Sequence, residues 1–214
     1  SPELRPRHDS HCSASASALT TGETAHRMPK TPPSHATLDF LNARRQWALD
    51  APKDDAPITT LCVRPAEGSR QFVDRMRLDP EEGVVGDRWI RKTWIYLPDG
   101  RPDPRIQVCV LGVRVLQLVR RDPDSMTYPG DNIIADMDFS EANLPVGQRL
   151  QVGTAIIEVS DVFNTACSKW RQRYGNDSLK WINLPENKPH RLRGILAQVV
   201  QAGEVRLSDT IRKL

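Results

Sequence analysis

Residues 149–161 read RLQVGTAIIEVSD, and residues 193–207 read RGILAQVVQAGEVRL. Each is a run of Val, Ile, Leu and Ala broken by a glycine, and each is too short and too rich in β-branched residues for a long helix. Working outward, the same texture recurs in ITTLCVRP (58–65), IQVCVLG (106–112), NIIADMD (132–138) and DTI (209–211). Closely spaced apolar runs punctuated by Gly, Pro and Asp predict an all-β fold, a strand-rich barrel or sandwich, rather than repeated βαβ units. Between them, EEGVVGDRW (81–89) reads as a loop, VRVLQLVRR (113–121) as helical, and DPDS (122–125) as a turn. A few short helices therefore accompany the strands.

The chain has 214 residues, 27% of them charged and 38% apolar, as expected of a water-soluble domain with a sizeable core. Residues 1–37, rich in Ser, Ala, Thr, Pro and His, predict a disordered N-terminal extension. Residues 38–57 predict a short helix and a linker, with Phe40, Ala43 and Trp47 on one face and Thr37 or Asp39 as the cap. Residues 58–214 form the folded domain. Met28 is a candidate natural start, which would make residues 1–27 a leader; the N-terminus lacks the apolar core of a secretory signal. No run reaches the roughly 20 apolar residues of a membrane span, so no membrane partner is expected. Four cysteines, Cys12, Cys62, Cys109 and Cys167, form no zinc-like spacing. They read as reduced thiols of a cytoplasmic protein, with Cys62 and Cys109 in the core. His8, His11, His26 and His35 fall in the extension, where they read as solvated side chains rather than metal ligands.

The net charge of +3 is unevenly placed. From Asp161 onward there are ten Lys and Arg against five Asp and Glu, which points to an anionic partner near that stretch. Within it lies FNTACSKWRQRYG (163–175), followed by NDSLKWINL (176–184). These predict two short helices, with Asn164 capping the first, Gly175 ending it, and Asn176 or Asp177 capping the second. Cys167 would then sit in a first helical turn, beside Lys169, Arg171 and Arg173. Unpaired first-turn amides, the helix dipole and neighbouring cations all favour thiolate over thiol. A thiolate so placed is a nucleophile, a persulfide carrier or a soft metal ligand. The bland alternative is a set of solvated cations on a short helix.

Three further features are weaker alone. Gly86, Asp87 and Arg88 in EEGVVGDRW could place a guanidinium for bidentate phosphate binding, or form a structural turn. PGDNII (129–134), with Gly130, Asp131 and Asn132, reads as a turn before a strand. Trp170, Tyr174 and Trp181 beside the cations could stack bases of single-stranded nucleic acid, although Trp170 and Tyr174 share a helix face and suit a core. His190, in PENKPHRLRG (185–194), reads as a loop residue.

Taken in order, VRPAEG (63–68), GVVGDRW, GDNI, LPVGQRLQVGTAIIEVSD, CSKWRQRYG and RLRGILAQVVQAGEVRLSD resemble the MOSC domain, the family related to the C-terminal domain of molybdenum cofactor sulfurase. The resemblance runs from Ile58 to the C-terminus and implies a β-barrel with few helices. It implies that Cys167 matches the family's signature cysteine, which carries a persulfide or binds the molybdenum of a pterin cofactor. Gly86, Asp87, Arg88, Asn132 and Arg193 match family positions, and with Lys169 and Arg173 they form the expected cofactor-binding set. Asp131 stands where the family has Glu, which puts a contact by this residue in doubt, and Ser208 where Gly is usual. Nothing resembles the aminotransferase-like half of fused sulfurases, so pyridoxal phosphate is not expected, and no cluster or flavin motif is present. A redox role, such as reduction of a small N-hydroxylated substrate, would need an electron-donor reductase; a carrier role would need a sulfur-donor desulfurase. The competing expectation is a non-catalytic basic module for nucleic acid or an acidic protein.

Overall fold

The computed structural model describes residues 34–214. The His-rich, Ser-rich stretch through residue 33, with Cys12 and the candidate start Met28, lies outside the described residues. The strands are β1 (Ala56–Val63), β2 (Gln71–Phe72), β3 (Arg75–Asp79), β4 (Gly83–Val84), β5 (Val108–Gly112), β6 (Ile133–Ala135), β7 (Arg149–Val152), β8 (Ala155–Val159), β9 (Ile195–Gln201), β10 (Gly203–Arg206) and β11 (Thr210–Lys213). The helices are α1 (Leu38–Ala43), α2 (Arg45–Leu49), α3 (Val113–Val119) and α4 (Ser168–Asn183).

Seven strands close into a barrel in the order β11-β7-β8-β9-β5-β6-β1, with β1 returning to β11 through Ala56–Ile211 and Pro57–Thr210. Closure leaves no free edge in the ring. The stretch read first from the sequence is the β7–β8 hairpin, whose last pair is Val152–Ala155 across Gly153 and Thr154. The second is β9, which lies between β8 and β5, and β10, which leaves the ring for a small sheet in the order β10-β3-β4. Repeated βαβ units are absent among the described residues, but one parallel pair occurs: β5 and β6 pair in parallel, and α3 lies between them in sequence.

Period-two alternation fills the barrel. Val108 and Val110, Leu150 and Val152, Ala155, Ile157 and Val159, and Ile195, Ala197 and Val199 all point into one cluster. The outward residues Leu111 and Ile134 belong to a second cluster with Leu116 and Val119 of α3, Leu41 of α1, and Trp170, Tyr174 and Trp181 of α4. Strands β5 and β6 are thus covered on both faces, and α4 is fixed against the barrel wall.

The helix-and-linker segment differs in detail from the sequence expectation. Thr37 does cap α1, accepting from the Phe40 amide at 3.2 Å. The inward residues, however, are Leu41 and Ala48, while Trp47 is 44% exposed. A break at Arg44 between α1 and α2 shifts the helical phase, and Phe40 is covered by the guanidiniums of Arg44 and Arg121 instead. The first strand starts at Ala56, two residues before the apolar run that announced it. No helix among the described residues is long and apolar enough to cross a membrane.

Ile157 has no exposure and stands at the centre of the barrel cluster. Ile157→Ala is expected to cost about 2–5 kcal/mol in denaturant unfolding with an unchanged m-value. Trp94→Ala, at a site 65% exposed, should shift stability by no more than about 0.5 kcal/mol.

Candidate functional site: a guanidinium cluster beside Cys167

The site begins with Asp87. Its carboxylate is fully buried, and Arg64, the residue after β1, grips it in bidentate fashion through Nε to Oδ2 at 2.8 Å and Nη2 to Oδ1 at 3.1 Å. Asp87 also accepts from the amides of Arg64 at 3.0 Å and Trp89 at 2.9 Å, and from Asn132 Nδ2 at 3.1 Å. Asn132 in turn receives the Cys109 amide at 3.1 Å and donates to the Cys62 carbonyl at 3.2 Å, tying β5 to β1. The third nitrogen of Arg64, Nη1, reaches the Gly130 carbonyl at 3.0 Å and the Cys109 sulfur at 3.7 Å. Burial alone would lower the Arg64 guanidinium; the Cys109 sulfur and Asp87 raise it well above its usual value instead, so it stays charged. Burial pushes the Cys109 thiol up despite this neighbour.

Two of the residues expected to touch a cofactor, Asp87 and Asn132, therefore have their polar groups turned to the protein. They are the scaffold of the site. Asp87 pairs with Arg64, not with the adjacent Arg88, whose amide donates to the Arg64 carbonyl at 2.8 Å. The Arg88 side chain is half-buried and makes no side-chain hydrogen bond among the described residues. Gly86 is an exposed turn residue with φ +85°.

A second acid–base pair lies next to this one. Asp131, fully buried, accepts from Arg193 Nη1 at 2.7 Å. The Arg193 guanidinium also stacks over Trp170, with Cζ 4.8 Å from the ring centroid. Arg193 is delivered here by Gly194, whose φ of +82° and contact with the Val110 carbonyl leave no space for a side chain: an added Cβ would sit 1.9 Å from that oxygen. Around the two pairs stand Arg70, donating to the carbonyls of Pro129 at 3.1 Å and Gly68 at 3.0 Å, and Arg173. Burial, and then the Arg70 charge, hold the Arg173 guanidinium below its usual value, and Arg193 acts the same way. The cluster thus holds four guanidiniums, Arg64, Arg70, Arg173 and Arg193, against two carboxylates.

Cys167 is exposed. It is the residue before α4 rather than a member of its first turn, with extended backbone (φ −120°, ψ −175°), and its carbonyl accepts the Arg171 amide at 3.1 Å. Asn164 does not cap the helix; its Nδ2 donates to the Arg193 carbonyl at 3.1 Å and so ties the cysteine loop to the arginine strand. The break expected at Gly175 is present, with φ +87° inside α4. Asp177 accepts from the Leu38 amide at 3.0 Å instead of capping its own helix. Lys169 pairs with Glu67 at 3.2 Å, and the same carboxylate binds Lys92 at 3.3 Å. Arg171 is exposed.

Of the two readings open for the aromatics, the core reading holds: Trp170, Tyr174 and Trp181 are buried in the second cluster. Tyr174 donates to the Thr127 carbonyl at 2.8 Å, and Trp170 Nε1 to Ser178 Oγ at 2.7 Å. His190 has Arg45 and Asp138 as its charged neighbours, and burial lowers it. No group of three His, Cys, Asp or Glu side chains suited to a metal ion occurs among the described residues. The sequence reading passed over Arg64 and Arg70, placed Cys109 in the core with no role at the site, and left a contact by Asp131 in doubt. The available signal was a cation directly after an apolar strand, in VRPAEG, matched to the acid of GDRW.

Because removing one partner of a buried pair strands the other's charge, Arg64→Gln is expected to destabilise the domain by about 3–5 kcal/mol in denaturant unfolding. Arg88→Gln, lacking such a pair, should cost less than about 0.5 kcal/mol.

No curated protein matches the chain by sequence. Among solved structures, the YuaD protein from Bacillus subtilis is similar at 17% identity, over 73% of this chain and 93% of that one, with a TM-score of 0.53. A hypothetical protein of known structure is similar at 20% identity, over 74% of this chain and 67% of that one, with a TM-score of 0.51. YiiM from Escherichia coli is 18% identical over 73% of this chain and 69% of its own, with a TM-score of 0.49. At such identities the first two establish the fold. Residues 114–212, most of the stretch from α3 through β11, match the MOSC domain, and the closed seven-stranded barrel is the fold shared with the similar solved structures.

Proposed function

We propose that Cys167 is the working sulfur of a site that binds the molybdenum cofactor. The observation that carries this reading is an exposed thiol beside a cluster in which guanidiniums outnumber carboxylates by two. Arg173, half-buried, is lowered first by burial and then by the Arg70 charge, and an anion placed beside it would favour its charged form. A phosphate monoester, with about −1.5 to −2 charge at neutral pH, matches that excess, and Arg70, Arg173 and Arg193 would hold it. The soft sulfur of Cys167 suits the metal. When bound, such a cofactor supplies two-electron exchange at molybdenum. The protein's own residues supply the rest: Arg64 and Asp87 hold the loops in register, Asn132 fixes β5 against β1, and Arg193 sets the potential at the sulfur. A small N-hydroxylated compound would be the substrate and a separate reductase the electron donor.

A second reading is favoured by the exposure of Cys167, which leaves the sulfur open to a protein donor. In it Cys167 carries a persulfide received from a desulfurase, and the same arginines stabilise its negative charge.

The two are separated by composition. Protein made in a molybdate-fed host that synthesises the cofactor should contain molybdenum, and Cys167→Ala should lose most of it. Cyanide-releasable sulfur without molybdenum, lost in Cys167→Ala, would select the carrier. Absence of both, with salt-sensitive oligonucleotide binding that survives Cys167→Ala, would overturn the proposal in favour of a basic binding module.

A further inference from the structure

Asp131 is buried without exposure, yet only one of its oxygens is used. Oδ1 accepts from Arg193, while Oδ2 is buried with no hydrogen-bond partner among the described residues. A carboxylate kept for packing would have both oxygens satisfied. This one serves a single guanidinium, at the cost of desolvating its own charge. That guanidinium is clamped from its other face by Trp170, which Ser178 holds at 2.7 Å. Its backbone carbonyl is tied by Asn164 to the loop that carries Cys167. Burial works against the Arg193 cation, and the field of Asp131, followed by the sulfurs of Cys109 and Cys167, outweighs it. The loop of Cys167 and the backbone of Arg193 are thus joined through Asn164, and the sulfur is among the groups that favour the Arg193 cation.

We propose that Asp131 is a positioning residue that acts on Cys167 through Arg193: carboxylate and indole form two jaws that aim the guanidinium, and the positive potential at the sulfur depends on that aim. The proposal rests on Cys167 as the working sulfur. Placement and charge make opposite predictions. As a mere negative charge, Asp131 lowers the potential at Cys167, and its removal would raise it. As a jaw, its removal lets Arg193 swing away, and the potential falls.

The potential is read by alkylating Cys167 in the intact protein at fixed pH with anionic iodoacetate and neutral iodoacetamide, resolved at the peptide level by mass spectrometry. The ratio of the two rates rises with positive potential and is insensitive to accessibility common to both reagents. Arg193→Gln and Asp131→Ala are each expected to lower the ratio about threefold, the effect of one charge several ångströms away in a water-like dielectric. Asp131→Glu should restore it, and the Asp131→Ala/Arg193→Gln double variant should fall no further than Arg193→Gln. A ratio unchanged or raised in Asp131→Ala, or additive losses in the double variant, overturns the proposal. If Asp131→Ala does not fold, Arg193→Lys decides: it keeps the charge but loses the planar fork, so the ratio should fall, and an unchanged ratio overturns the proposal. Molybdenum and cyanide-releasable sulfur, measured on the same proteins, report separately on the function proposed above.

Discussion

The buried pair between Arg64 and Asp87 is the constraint on which the site depends. Asp87 is the common acceptor for a guanidinium, two amides and a carboxamide drawn from three segments of chain. Arg64 extends the same network to Gly130 and Cys109. The barrel would close without this pair, because its core is apolar and its strand ring is complete. What the pair adds is the relative placement of the loops after β1, after β4 and before β6. Low dielectric makes such a pair stringent: fully bonded it fixes a geometry, half-bonded it is costly.

Function builds on that stringency in layers. The first layer neutralises itself, Arg64 against Asp87. The second, Arg193 against Asp131, is half-satisfied, with one carboxylate oxygen left over. The third, Arg70 and Arg173, has no carboxylate of its own, and burial, followed by the Arg70 charge, holds Arg173 below its usual value. Moving outward, the site passes from balanced charge to excess positive charge and arrives at an exposed sulfur. That gradient is the physical basis for reading it as a place where an anion meets a thiol.

The sequence carried much of the fold because the fold is written in local periods. Apolar runs broken by Gly, Pro and Asp located the barrel strands, and Gly175 marked the break in α4. Cys167 stood out because its neighbours violate the usual surroundings of a core cysteine. The site was harder to read for a reason of distance. Arg64 and Asp87 are 23 residues apart and Asp131 and Arg193 are 62 apart, and no periodic signal links a cation to an acid across such spans. Lys169, two residues after Cys167, stood out locally as a cation beside the sulfur, while its ion-pair partner Glu67 comes from a distant turn that no local pattern announces. Asn164 looked like a helix cap because a cap is local; its partner, the Arg193 carbonyl, is 29 residues away.

The central claim is that the cationic cluster holds an anion against Cys167. Its most direct test is protection of that thiol. Alkylation of Cys167 by neutral iodoacetamide is followed at the peptide level while inorganic phosphate is titrated at constant ionic strength. A saturable slowing that disappears in the Arg70→Gln/Arg173→Gln protein is the predicted result. An alkylation rate that ignores phosphate, or protection that persists when both arginines are gone, would contradict the account.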